Sequence, residues 1–402
     1  MAPISRLLRR LLCSASFAAQ FFFCLIHVLP PFCPTNHALF CSTVQAIKID
    51  ALPRNAEGEI ALASFVFGDS LVDAGNNNYL RFSTATAKSF PNGIDFPVPN
   101  GRTPTGRFTN GLTIPDILAR KVGAKKFPPP YLAPSSHGAA IVNGVNYASG
   151  GGGILNNTGR IFLQRISLDI QITYFERTLV ELKELMGAEN ASDLVTKGIF
   201  SVTVGANDFL DNYLSPVPDT LDPIQLPPPD FIRLLITRYK AQLQRLYNLG
   251  ARKFIIVNMP LIGCIPYQRS LQVGKKGRCS ERANQLARSF NVPLKEMLDQ
   301  LNGELQGANF LEADAYSAML DITNNYQSFG FESVDTACCG ALGSRRGIIP
   351  CRSFVKSCTD RSKYFFWDPY HPSEAGYQIL ANEFFDGHQY ISPMNVRQLI
   401  EL

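Results

Sequence analysis

The sequence predicts an α/β protein: a doubly wound, three-layer domain with five parallel strands at its centre. Two observations carry that expectation. Short apolar runs alternate along the chain with longer segments whose apolar residues recur every 3.6 positions. The short runs are also rich in apolar and β-branched residues, which marks strands covered on both faces instead of strands with one wet side.

Taken in chain order, the candidate strands are residues 64–67, 142–147, 199–204, 253–258 and 309–312. Helical periodicity fills each gap, over residues 112–122, 168–186, 231–249 and 280–301. A last helix, 374–385, sets Tyr377, Leu380, Ala381 and Phe384 on one face. Right-handed crossovers between parallel strands then distribute the helices over both faces of the sheet. Proline clusters at 127–130 and 216–229 read as surface loops. With no internal repeat and no dividing linker, residues 47–402 are expected to form one domain.

Composition narrows the function. Of 402 residues, 46% are hydrophobic and 18% charged, which suits a large core and argues against disorder. The formal charge is +5, but the first 46 residues hold Arg6, Arg9 and Arg10 and no acid. The remainder has 35 basic and 33 acidic residues, net +2. No basic stripe with interleaved aromatics occurs, so nucleic acid is not an expected partner.

The N-terminus reads as a secretory signal peptide spanning residues 1–46. "RLLRR" is a basic start, residues 11–29 are an apolar stretch, and Val44-Gln45-Ala46 offers a cleavage site. A retained anchor and an organellar transit peptide are the rival readings of the same segment. No later segment is long and apolar enough to span a membrane.

Cysteine usage fits the secretory route. Four of ten cysteines (Cys13, Cys24, Cys33, Cys41) fall in the leader, leaving Cys264, Cys279, Cys338, Cys339, Cys351 and Cys358. Six cysteines allow 15 pairings, and the sequence does not choose among them, although spacing favours Cys264 with Cys279. A zinc site is disfavoured because the Cys338-Cys339 doublet lacks CxxC spacing and has no histidine nearby. Disulfides are therefore expected. Asn156 and Asn190 begin glycosylation sequons.

In open parallel sheets, ligands bind beyond the carboxyl ends of the strands. After the first strand comes Gly68-Asp69-Ser70; after the second, "NYASGGGG"; after the third, "VGANDF"; and before the last helix, "WDPYHPSEAG". Outside the leader only His137, His371 and His388 remain as possible bases. Asp368 precedes His371 by three residues, and Pro369 and Pro372 restrict the loop between them. Such a loop can aim a carboxylate at Nδ1 and steady the imidazolium formed during acyl transfer. Ser373 is a natural N-cap for the helix that follows.

Ser70 needs such a base to become a nucleophile. The Asn207 amide and the Gly150 N–H could donate to an oxyanion from the same rim. Each motif alone has a plainer reading: a polar turn at Gly-Asp-Ser, a cap at Asn-Asp, a structural Asp-His bond. The glycine run lacks the spacing and lysine of a phosphate loop. Asp69 and Asp73 lack the further acids of an oxygen-ligand metal site. No metal and no cofactor are expected.

Four motifs in one order, "FVFGDSLVDAGNNN", "GVNYASGGGGIL", "VGANDF" and "DPYHPSEAGY", closely resemble the GDSL esterase/lipases of the SGNH hydrolase superfamily, in particular its plant branch. "GRTPTGRFTNGLTIPDILA" and "NMPLIGCIP" are also similar to stretches of the plant members. The resemblance covers about residues 62–390. It implies an α/β/α sandwich of flavodoxin-like type that hydrolyses esters through an acyl-serine. By that resemblance Ser70 is the nucleophile, His371 the general base and then acid, and Asp368 its orienting partner. The Ser70 and Gly150 N–H groups and the Asn207 amide form the oxyanion hole. A secreted, monomeric enzyme acting on a small ester, a lipid or an acylated polymer follows. The alternatives are an acyltransferase using the same acyl-enzyme and a non-catalytic wall or binding protein of the same fold.

Overall fold

A computed structural model describes residues 62–97, 104–124, 126–215, 226–272, 274 and 277–402. The expected signal peptide and its four cysteines lie outside them.

Four parallel strands lie side by side: β1 (Ser64–Gly68), β2 (Ile199–Thr203), β3 (Lys253–Val257) and β4 (Asn309–Ala313). The segment expected as the second strand runs along the free edge of β1. Ser64 and Val66 donate their N–H groups to the Asn143 and Val145 carbonyls, both at 3.0 Å. Tyr147 and Ser149 donate back to Val66 and Gly68 at 2.7 and 3.1 Å. Counting this edge segment, the expected strands stand in the order second, first, third, fourth, fifth, which is the flavodoxin-like order.

The sequence predicts a wholly parallel sheet, but one strand departs from it. A two-residue β5 (Ile391–Ser392) pairs antiparallel with β4. Pro393 follows it at once and removes the N–H that a longer strand would need.

Each parallel strand carries phenylalanine in its second position, and the register aligns them: Phe65 with Phe200, Phe200 with Phe254, Phe254 with Phe310. Neighbouring rings lie 4.9, 5.7 and 4.2 Å apart. Phe175, from helix α2 (Leu168–Met186), closes edge-on over Phe65 at 5.2 Å. Burying each of these rings contributes about 1.5–3 kcal/mol, so this row ties the sheet to its helical layer.

Helices α1 (Ile114–Lys121), α3 (Ala188–Lys197), α4 (Pro228–Asn248), α5 (Pro266–Leu271), α6 (Glu281–Glu304), α7 (Ala315–Asn324), α8 (Glu374–Asp386) and α9 (Val396–Glu401) complete the chain. α2, α4 and α6 pack in series against one another, while α1, α8 and α9 form a second series. Both series also touch strands, which makes three layers. Among the described residues no helix is long and apolar enough to cross a membrane.

The six cysteines pair as Cys264–Cys279, Cys338–Cys358 and Cys339–Cys351. The first is the pair that spacing favoured. The other two lie in the long connection before α8.

Candidate active site

The end of β1 is shaped so that only glycine fits. Gly68 has φ +148°, and a Cβ there would stand 2.1 Å from the Thr203 carbonyl oxygen of β2. Gln171 of α2 accepts the Gly68 N–H at 2.8 Å and donates to its carbonyl at 2.7 Å. The strand stops there, and Asp69-Ser70 turns out over the sheet edge. Asp69 Oδ1 accepts the Leu71 N–H at 3.0 Å, while its buried Oδ2 has no hydrogen-bond partner.

Ser70 Oγ lies 2.7 Å from His371 Nε2, and His371 Nδ1 lies 2.8 Å from Asp368 Oδ1. The same Asp368 oxygen accepts the N–H groups of Tyr370 and His371, both at 2.9 Å. The Trp367 N–H meets the His371 carbonyl at 2.8 Å, so the five-residue loop closes on itself. Ser373 caps α8 by accepting the Gly376 N–H at 3.2 Å. The other histidines stand elsewhere: His137 is exposed beside Glu181, and His388 faces Asn395.

Two buried carboxylates fasten the glycine run to its neighbours. Asp73 accepts N–H groups from Gly75 and Asn76 at 2.7 Å and from Gly150 at 3.1 Å. Asp208 accepts from Ile154, Leu155 and the Thr158 hydroxyl at 2.9, 3.0 and 2.6 Å. Burial pushes both acids up to about 6, against the pull of those donors. Asp69 and Asp211 are pushed up to about 7, again mainly by burial.

This arrangement corrects one expectation from the sequence. The Gly150 N–H is donated to Asp73, because a buried carboxylate must collect donors. Gly151, at φ +80°, is the glycine whose backbone lines the cavity beside Ser70. Its N–H and that of Ser70 meet no protein acceptor among the described residues. Asn207 opens a π-helical turn (Asp208–Tyr213) and donates one amide hydrogen to the Gly152 carbonyl at 2.8 Å. An amide NH₂ has a second hydrogen, and Asn207 also lines the cavity.

One cavity open to solvent brings Ser70, Asn207, Asp368 and His371 together. Its walls are largely apolar, from Phe108, Leu210, Met319 and the "NMPLIGCIP" stretch, which supplies Pro260, Ile262 and Ile265. Sequence reasoning missed Gly151 and the half-buried Asp211 in the wall. The sequon residue Asn156 is exposed, with its Oδ1 accepting from Ser167 at 2.7 Å. Asn190 is half-buried on α3 and donates to the Met186 carbonyl.

A serine, an imidazole and a carboxylate in hydrogen-bonded series, beside unused N–H donors and an apolar cavity, can perform acyl transfer. The family model described as GDSL-like lipase/acylhydrolase matches residues 65–384. Three GDSL esterase/lipases of Arabidopsis thaliana are 48%, 47% and 46% identical to this chain. Each alignment covers 85% of this chain, and 88%, 91% and 91% of the respective relatives.

Proposed function

The chain belongs to the GDSL-like lipase/acylhydrolase family, and on that premise we propose that it is a carboxylic ester hydrolase working through an acyl-Ser70 intermediate. The observation that carries the reading is the Ser70–His371–Asp368 series, with successive separations of 2.7 and 2.8 Å.

His371 Nε2 takes the Ser70 proton as Oγ attacks the ester carbonyl. Asp368 keeps the Nδ1 proton in place and stabilises the imidazolium. The charge on the carbonyl oxygen is met by the N–H groups of Ser70 and Gly151 and the free amide hydrogen of Asn207. His371 then protonates the leaving alcohol, and the acyl-serine remains. Water, activated by the same imidazole, attacks that ester and returns Ser70. No metal or cofactor enters any step.

The apolar cavity suits an ester with a hydrocarbon acyl group, so the natural substrate belongs to the small-ester, lipid or acylated-polymer classes. Residues 1–46 are read as a signal peptide and 47–402 as one hydrolase domain, released outside the cell with its three disulfides formed. Asn156, being exposed, is the better glycan acceptor of the two sequons.

A fluorophosphonate probe tests the reading. It should label the wild-type protein at neutral pH and leave Ser70→Ala unlabelled; a wild-type protein that does not label overturns it. A series of p-nitrophenyl esters from acetyl to palmitoyl then locates the preferred acyl length.

A further inference from the structure

Residues 107–110, Arg-Phe-Thr-Asn, supply no reacting group, yet they bear on three of the loops that do. Arg107 is buried and grips Asp116 through Nε and Nη2, both at 2.7 Å. Its Nη1 reaches the carbonyl of Ala74, in the loop that carries Ser70, at 3.4 Å. The Phe108 ring lies 5.2 Å from the His371 imidazole, tilted by 36°. The same ring presses on the glycine run, since a Cβ on Gly150 would come within 2.7 Å of Phe108 Cζ. Thr109 is wholly buried and donates its hydroxyl to the Pro372 carbonyl at 3.0 Å. Asn110 Oδ1 accepts the N–H of Glu374, the first residue of α8, at 2.9 Å.

Ser70 and His371 stand 301 residues apart in the chain, so their contact depends wholly on how separate loops are fastened to each other. A displacement of about 1 Å between reacting groups can cost about 10²-fold in rate. The bond to Asp368 fixes one ring nitrogen but leaves the imidazole free to tilt about it. A ring packed on the imidazole face and a hydrogen bond to the residue after His371 remove that freedom.

We propose that Phe108, Thr109 and Asn110 are positioning residues that hold the His371 imidazole within hydrogen-bonding range of Ser70, with Arg107 anchoring them to the Ser70 loop. This inference rests on the reading of Ser70 and His371 as nucleophile and base. Thr109 sets the backbone beyond His371, and Phe108 sets the plane of its ring. The element lies outside all four motifs that contain the reacting groups.

Thr109→Val removes the hydroxyl at nearly constant shape and leaves the Pro372 carbonyl without its donor. With p-nitrophenyl butyrate, kcat should fall about 10- to 100-fold while KM stays within about twofold. Thr109→Ser should restore kcat to within about twofold of wild type. A Thr109→Val enzyme with wild-type kcat, or a serine variant as slow as the valine one, overturns the proposal. Should the Thr109 variants fail to fold, Phe108→Leu decides: a lower kcat at constant KM supports positioning, and a raised KM at constant kcat overturns it. An inactive, unlabelled wild-type protein would instead sink the reading of Ser70 itself.

Discussion

The Ser70 side and the His371 side of the site are held in place by different means. Ser70 stands two residues past a buried parallel strand, and its position follows from backbone geometry at the strand exit. Gly68 approaches Thr203 closely, Gln171 clamps Gly68 from both sides, and Asp69 turns back on Leu71. His371 has no strand beneath it. Its loop is held by long-range links: Cys338 and Cys339 donate their N–H groups to the Phe366 and Trp367 carbonyls at 3.1 and 2.6 Å. Both cysteines are tied off by disulfides, and the Trp367 indole donates to Asn92 at 2.9 Å. Ser70 therefore inherits its placement from the sheet, while His371 depends on cross-links in a connection that could otherwise drift.

Breaking the chemistry of the His371 side should produce the largest effect. In Asp368→Asn the side chain can still reach Nδ1, but it no longer favours the proton there or stabilises the imidazolium. A loss of about 10⁴-fold in kcat is expected at neutral pH, with Tm little changed. Steady-state kinetics beside a thermal melt checks this, and a loss of less than about tenfold would show that Asp368 only shapes the loop.

Loosening the same side mechanically should cost less and should separate the two halves of the site. Replacing Cys338 and Cys358 by alanine is expected to destabilise the fold by about 2–4 kcal/mol and to lower kcat, because Cys338 pairs with Phe366 beside the loop. Replacing Cys264 and Cys279 should cost comparable stability but lower kcat per folded molecule less, since that disulfide reaches the His371 loop only through the Tyr267 N–H on the Pro369 carbonyl at 3.0 Å. Equal effects on kcat from the two pairs would remove the distinction between the halves.

The same contrast sets how much could be read from the sequence. The four parallel strands were legible because strands buried on both faces are rich in large apolar residues, such as Phe65, Phe67, Phe200, Phe254 and Phe310; the edge segment at 142–147 is less so, with Asn143, Gly144 and Asn146 set among Val142, Val145 and Tyr147. β5 was not legible, since two residues carry no periodicity. The Ser70, Asn207, Asp368 and His371 motifs each mark the end of a strand or the start of a helix, so chemistry and topology pointed together. The four glycines at 150–153 are chemically identical, and which of them lines the cavity is decided by φ and by the Asp73 bond to Gly150, neither visible in their order. Pairing within Cys338–Cys358 was hidden for a similar reason: four cysteines within about twenty residues can close several loops at similar entropy cost. Residues 107–110 lie within a stretch that resembles the plant members but stands at no strand end, so only their contacts reveal what they hold.

The cavity wall offers the finest test of the contrast, because Asp211, in the helical turn that follows β2, makes no side-chain hydrogen bond among the described residues. Burial, reinforced by the charge of Asp69, pushes it up to about 7 from an ordinary value of 3.8. A raised carboxyl pKa means that the folded protein binds this proton more tightly than the unfolded chain does. Its contribution to stability is then fully present below about pH 4 and is lost as pH rises through about 7. Asp211→Asn cannot ionise, so the two proteins should melt together near pH 4. Above pH 7 the variant should melt higher by a few degrees. Melting curves of both proteins from pH 4 to 8 follow the gap, which should open between those limits and then stay level. A gap equal at pH 4 and pH 8 would mean that the asparagine changes packing instead of charge. The sheet side would then hold its acids without electrostatic cost.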